Sequence, residues 1–329
     1  MSKIEKAEII LKKYLLILTF MSLVTGTVVG YHYAQQLIVS KELIKYVIIS
    51  LAITTLYPSM IRLRISGVGA AIKDVRSVST ALLLTLLVSP LLSMAIANYI
   101  RDPSIRLGYV AANIVPASSA SVGYVLLADG SIELATSLVF LTIVGSLLLG
   151  PMYLGYYGSL ESINVPVPKI AMSMIIAIVT PLVLGQLTRH YLLVRKHVPM
   201  RRVKPYLSVV TMICMLSLIF LLIMSKAPII VRKPSMAFTI ILGQATIILA
   251  VLGILAMLTK ALRIGYGKHA AIAFISISKN ESAATIISAV ALGGAATVAP
   301  AIIPAIQPVL CILYLHLLSR AKRVWGISK

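Results

Sequence analysis

Acidic residues are scarce in this chain: nine Asp and Glu stand against 30 Lys and Arg. Carboxylates that few, most of them between apolar runs, supply no paired acid and base for a membrane-embedded enzyme. Cysteine is scarcer still. Cys214 and Cys311 each lie inside an apolar run, which is neither a disulfide framework nor a metal-ligand spacing; both read as small buried hydrophobes. No Walker loop, zinc spacing or nucleophile elbow occurs, so ATP-driven transport and hydrolytic chemistry lack their residues. The first residues, MSKIEKAEIILKK, are polar and precede no small-residue cleavage site, so no signal peptide is expected. Cofactors and metals are not expected.

Charge of any kind is low. Charged residues make up 12% of the chain and apolar residues 59%, with a mean hydropathy of +1.00. Soluble domains carry roughly 25% charged residues, so the composition is that of an all-α integral membrane protein. Apolar windows mark ten spans, at about 14–31, 43–61, 77–100, 107–128, 134–160, 170–188, 205–225, 234–259, 270–292 and 299–319, matched to a bilayer core of about 30 Å.

The net charge of +21 resembles a nucleic-acid footprint, but its distribution points elsewhere. With the N-terminus placed in the cytoplasm, 21 of the Lys and Arg fall in cytoplasmic segments and 8 in outer loops. The remaining one is Lys279. The positive-inside rule therefore predicts a multi-pass protein of the plasma membrane with both termini cytoplasmic, and the basic excess serves topology and anionic lipid. Nucleic acid is not an expected partner.

The longest basic stretch, Arg189 to Lys204, divides the chain near its middle. Residues 1–160 hold five spans and residues 161–329 hold five more. Because five is odd, the second half enters the membrane from the opposite side, as two inverted five-helix repeats require. The fourth span of each half is interrupted. In the first, Pro116 is followed by Ala117, Ser118, Ser119 and Ala120; in the second, Lys279-Asn280-Glu281 splits an apolar run. Pro116 lies 14 residues before Gly130, and Asn280 lies 14 before Gly294. Proline removes a backbone donor and displaces the carbonyl four residues earlier. A lysine at membrane depth costs about 2.5–3.5 kcal/mol on insertion scales, which makes it a functional-site candidate. Broken helices at matching places in two halves mark a transporter's binding site.

PASSASVGYVLLADGSIEL (Pro116 to Leu134), LYPSMIRLRI (Leu56 to Ile65), TPLVLGQLTR (Thr180 to Arg189) and SKNESAA (Ser278 to Ala284) resemble, in order and spacing, motifs of the bile acid:sodium symporter family and the related arsenite-resistance permeases. The resemblance spans essentially the whole chain. It implies a panel domain of helices 1, 2, 6 and 7, a core domain of helices 3–5 and 8–10, broken helices 4 and 9 crossing at their breaks, and alternating access by movement of core against panel.

The differences from that family bear on its substrate and coupling. The family's helix-4 Ala-Ser-Asn run is Ala120-Ser121-Val122 here; its ninth-helix sodium-binding glutamate falls on Ile275 and its glutamine on Lys279. An apolar replacement removes an oxygen from the sodium cage, and an ammonium repels the ion. The arsenite permeases' thiol after the helix-4 proline is Ala117 here. The reading is therefore a secondary transporter of a small organic anion, bile-acid-like or another carboxylate, or of an oxyanion. Sodium coupling is not expected, Lys279 stands in place of a bound cation, and proton coupling is open. An arsenite efflux permease is the alternative within the superfamily, and a channel the alternative outside it. Lys279 has three roles open to it: a protonation switch, a substrate ligand, or an ion pair with Glu281. Ser118, Ser119 and Ser121 offer hydroxyls to a ligand or ease helix packing. Ser278, Asn280 and Glu281 belong to the same segment. Gln307, between Pro304 and Pro308, along with Asn113 and Gln244, suits interhelical hydrogen bonding at least as well as substrate contact.

Overall fold

The computed structural model describes residues 3–33, 41–63, 68–161, 163 and 165–321. Arg64 and Ile65 of the LYPSMIRLRI motif, and the basic residues from Lys322 onward, lie outside the described residues.

All the regular elements among the described residues are helices. In chain order they are α1 (Lys3–His32), α2 (Lys41–Arg62), a short helix Val68–Ile72, α3 (Val75–Ala97), α4 (Pro103–Ile114), α5 (Ser121–Leu127), α6 (Ile132–Leu160), α7 (Val167–Leu193), α8 (Met200–Arg232), α9 (Pro234–Leu262), α10 (Tyr266–Ile277), α11 (Glu281–Leu292) and α12 (Gly294–Leu318). Seven of them are long and apolar enough to cross a membrane: α2, α3, α6, α7, α8, α9 and α12. The two arms of α1, bent by 69° between Leu15 and Ile17, pass the same test together. Large apolar side chains such as Phe20, Leu148, Phe238 and Met257 are exposed, which is how a helix surface facing lipid reads. The chain is an all-α membrane protein.

The two remaining stretches are pairs of short helices. α4 has 12 residues and α5 has 7; α10 has 12, and the regular first part of α11, Glu281–Ile287, has 7. Each pair is parted by a few non-helical residues, 115–120 in one, ending in a turn, and 278–280 in the other.

Local sequence explains where these elements start and stop. Asp102 caps α4 by accepting from the Ser104 and Ile105 amides at 2.9 and 3.2 Å, satisfying donors a helix start leaves open. Pro116 ends it, since proline supplies no amide and biases the residue before it to extended geometry; Val115 is at φ −64°, ψ 157°. Asn280 caps α11 through its side-chain oxygen and the Ala283 amide at 3.2 Å. At the far end α11 widens into a π-turn, Ser288–Leu292, and stops at Gly293, whose φ of 96° favours glycine.

α1 packs along α8, α8 against α2, and α2 against α7. The broken helices pack among α3, α6, α9 and α12, and α11 also touches α2 and α7. α4 runs against the start of α12 so closely that a Cβ at Gly108 would lie 1.9 Å from the Ala296 carbonyl oxygen.

Candidate functional site at the helix crossing

The two breaks are bonded to each other. The Ser118 amide donates to the Ser278 carbonyl at 2.8 Å and the Asn280 amide to the Pro116 carbonyl at 3.0 Å, which makes Ala117 and Lys279 an isolated antiparallel bridge. Backbone that leaves a helix inside a membrane must find partners within the protein; here each break supplies them to the other. Two side chains complete the set. The Ala117 amide donates to Thr142 Oγ1 on α6 at 3.2 Å. Gln307 takes both backbone groups of Lys279, its Oε1 accepting from the amide at 3.0 Å and its Nε2 donating to the carbonyl at 3.1 Å.

Lys279 is 2% exposed. Its ammonium donates to the Thr85 carbonyl at 2.7 Å. That carbonyl is available because of Pro90. Residues Leu84–Val88 form a π-turn in α3, in which the Ser89 amide bonds back to Leu84 rather than Thr85. The residue five beyond Thr85 is Pro90, which has no amide. Leu86, four before Pro90, loses its ordinary donor too, and the Tyr153 hydroxyl donates to it at 2.8 Å. A hydrogen bond to a charged group contributes about 1.5–3 kcal/mol, comparable to the insertion cost of the lysine, about 2.5–3.5 kcal/mol. Thr85 also donates its hydroxyl to Ser276 Oγ at 3.2 Å, tying α3 to α10.

Glu281 does not pair with Lys279. Both its carboxylate oxygens are buried with no hydrogen-bond partner, and the ammonium acts on it only through space. The ion-pair role open to Lys279 is therefore corrected: the π-turn carbonyl takes the ammonium instead. Ser121 is buried and donates to the Ser118 carbonyl, and Ser118 Oγ accepts from the Ala120 amide at 3.2 Å. Their hydroxyls serve the turn, while Ser119 is half-buried on it. Asn113 and Gln244 pair amide to amide across α4 and α9, at 3.0 and 3.3 Å.

Thr85, Thr142, Thr285 and Ser288 escaped the sequence reading. The Ser89-Pro90 step was the signal that could have found Thr85. Thr285 and Ser288 are buried, and their hydroxyls have no hydrogen-bond partner.

Outside the spans, an ion pair fastens one end of the broken α10. Lys268 meets Asp74, the cap of α3, at 2.7 Å. Burial alone would raise the Asp74 carboxyl, but hydrogen bonds from Lys268 and Ser77 outweigh it and hold the group below its ordinary value.

The two broken helices are bonded through their breaks inside a bundle of helices long and apolar enough to cross a membrane. The model of the Sodium Bile acid symporter family matches residues 48–233, more than half of the chain, and the chain belongs to that family. The match includes the Pro116 break and ends before α9, so Lys279, Glu281 and Gln307 lie beyond it. A search of curated proteins returned no match.

Proposed function

We propose that the chain is a secondary transporter that moves a small organic anion, bile-acid-like or another carboxylate, or an oxyanion, by alternating access. In this reading it crosses the plasma membrane ten times with both termini cytoplasmic. Residues 1–160 and 161–329 are inverted five-helix repeats; α1, α2, α7 and α8 form the panel, and the remaining helices the core. The matched 12-and-7 residue arms of the two broken helices support the repeat, and the mutual bonding of the breaks supports a site at their crossing.

The observation that carries the reading is the Lys279 ammonium, buried at that crossing with a single backbone carbonyl as its bonded acceptor. It supplies a fixed positive charge where sodium-coupled relatives hold an ion, so neither sodium nor another metal is needed there. Exposure of the crossing to one side of the membrane lets an anion take the ammonium from Thr85. Ala117 stands in the bridge itself, where an arsenite permease would need its thiol.

The test is a thermal-shift screen of the purified protein against organic anions and arsenite, repeated on Lys279→Gln. An organic anion should stabilise the wild type. The variant should bind it about 10- to 100-fold more weakly, the loss of one charge-assisted bond of about 1.5–3 kcal/mol. Equal affinity in the variant removes the lysine from the binding site. Stabilisation by arsenite alone replaces the organic-anion reading with the arsenite one.

A further inference from the structure

Among the described residues six buried side-chain oxygens and hydroxyls lack a hydrogen-bond partner, and four belong to Glu281, Thr285 and Ser288 of α11. These residues are spaced i, i+4 and i+7, so they share one face of the helix. The two hydroxyls depart from the habit of this molecule. Thr19, Thr54, Thr55, Thr80 and Thr211 all donate to the carbonyl four residues back on their own helix, as hydroxyls in apolar surroundings do. Thr285 and Ser288 leave that bond unmade, although a buried polar group without a partner costs about 1–3 kcal/mol. Three neighbouring residues forgoing partners on one face point to something else that satisfies them.

The arrangement selects what that is. A hard metal cation gathers its oxygens around one point, at about 2.3–2.6 Å for calcium. From Glu281 to Ser288 the helix advances seven residues, roughly 10 Å at 1.5 Å each, so these oxygens form a line and not a cage. A hydroxyl both donates and accepts, and groups one turn apart are bridged by single waters. A line of hydroxyls that ends on a carboxylate is suited to a proton. It also runs the right way: Ser288 opens the π-turn that ends at the exposed Gly293.

Lys279 is the charge that acts on Glu281. The other ionisable residues on helices packed against this arm are Lys41, Glu42, Lys45, Tyr46, Tyr57 and Arg62 of α2, Arg106 and Tyr109 of α4, and Lys169, Arg189, His190 and Tyr191 of α7. Most sit toward the ends of those helices. Arg106 pairs with Glu161, Arg62 donates to Ser208, and Tyr57 shares a hydrogen bond with Thr188. The Tyr109 hydroxyl lies beside Gly243 on α9. At the Gly293 end, Lys226 Nζ of α8 is 3.6 Å from where a Cβ on Gly294 would be.

We infer that Glu281 carries the transporter's coupling proton and that Thr285 and Ser288, with intervening waters, conduct it from the membrane face at Gly293. The proton forms an O–H bond on the Glu281 carboxylate, which becomes a neutral acid. That bond breaks when the proton leaves to water on the other side after the crossing has changed its exposure. The inference rests on the transport reading above for its purpose but not for its measurement.

Infrared difference spectroscopy on the full-length protein in proteoliposomes tests it without any substrate. Stepping the pH down on the Gly293 side should raise a protonated-carboxyl band in the wild type. Glu281→Gln should lose the band, and Glu281→Asp should shift it. Thr285→Val combined with Ser288→Ala should keep the band but slow its appearance and its shift in D2O severalfold. If no titrating band depends on residue 281, or if the double variant exchanges as fast as the wild type, the proton path is overturned. Should Glu281→Gln fail to fold, the position of the band in Glu281→Asp decides alone. A titrating Glu281 in a protein that no anion stabilises sinks the substrate reading and leaves this one standing.

Discussion

The side-chain amide of Gln307 holds Lys279 by its backbone, accepting from the amide at 3.0 Å and donating to the carbonyl at 3.1 Å. A glutamine here does for one residue what a neighbouring strand does in a sheet. It lets the chain remain extended between α10 and α11 while the lysine side chain is directed to Thr85.

Gln307→Leu therefore orphans two buried backbone groups at once. With about 1–3 kcal/mol for each unsatisfied group, denaturant unfolding in detergent should show a loss of several kcal/mol. A loss below about 1 kcal/mol, within the range of a simple packing change, would remove the clamp from the account.

Pro90→Ala reverses the usual sign of a proline replacement. In a helix interior alanine is favoured by about 3 kcal/mol, so the variant should be stabilised if Pro90 is merely tolerated. Here the new amide lets α3 close into regular turns, occupying the carbonyls that serve Lys279 and Tyr153. The expectation is a lower unfolding temperature, read by differential scanning fluorimetry. A higher one would mean that the lysine does not depend on the π-turn.

Gly108→Ala and Gly253→Ala separate close approach from helix propensity. A Cβ at Gly108 meets the Ala296 carbonyl oxygen at 1.9 Å, whereas at Gly253 it meets nothing within 4 Å. Overpacking of the first kind costs about 1–3 kcal/mol, while an open helical glycine gains roughly 0.5–1 kcal/mol on becoming alanine. Unfolding of the two variants should move in opposite directions.

The Asp74–Lys268 pair gives a pH dependence outside the membrane. Asp74 is held below its ordinary value in the folded protein, so its contribution is present above the unfolded carboxylate value of about 3.9. It is lost as pH falls through the lower folded value. The pair is partly exposed, so the effect is at most about 1 kcal/mol. Asp74→Asn should lower stability at neutral pH by up to that amount, leave it unchanged below the folded value, and so flatten the acid limb of the profile.

The two breaks were legible because each carries a local contradiction: a proline without an amide in one apolar run, three polar residues in another. Their partners were not. Thr85 contributes a backbone carbonyl, which every residue has, and only the proline five residues on distinguishes it. Thr285 and Ser288 read like Thr54 and Thr55 along the sequence; whether a hydroxyl turns back to its own helix is decided by neighbours from other segments. Helix ends differed for a similar reason. The first span was expected from residue 14, yet α1 begins at Lys3, because the Glu8–Lys12 pair one turn apart sustains the helix beyond its apolar part.

The central claim is that a built-in ammonium replaces a bound cation at the helix crossing, and the thermal stability of the purified wild-type protein titrated with sodium, at constant ionic strength set by choline, tests it most directly. The account predicts an unfolding temperature indifferent to sodium. A saturable rise with sodium, absent with choline, would show an ion bound in the folded state and contradict it.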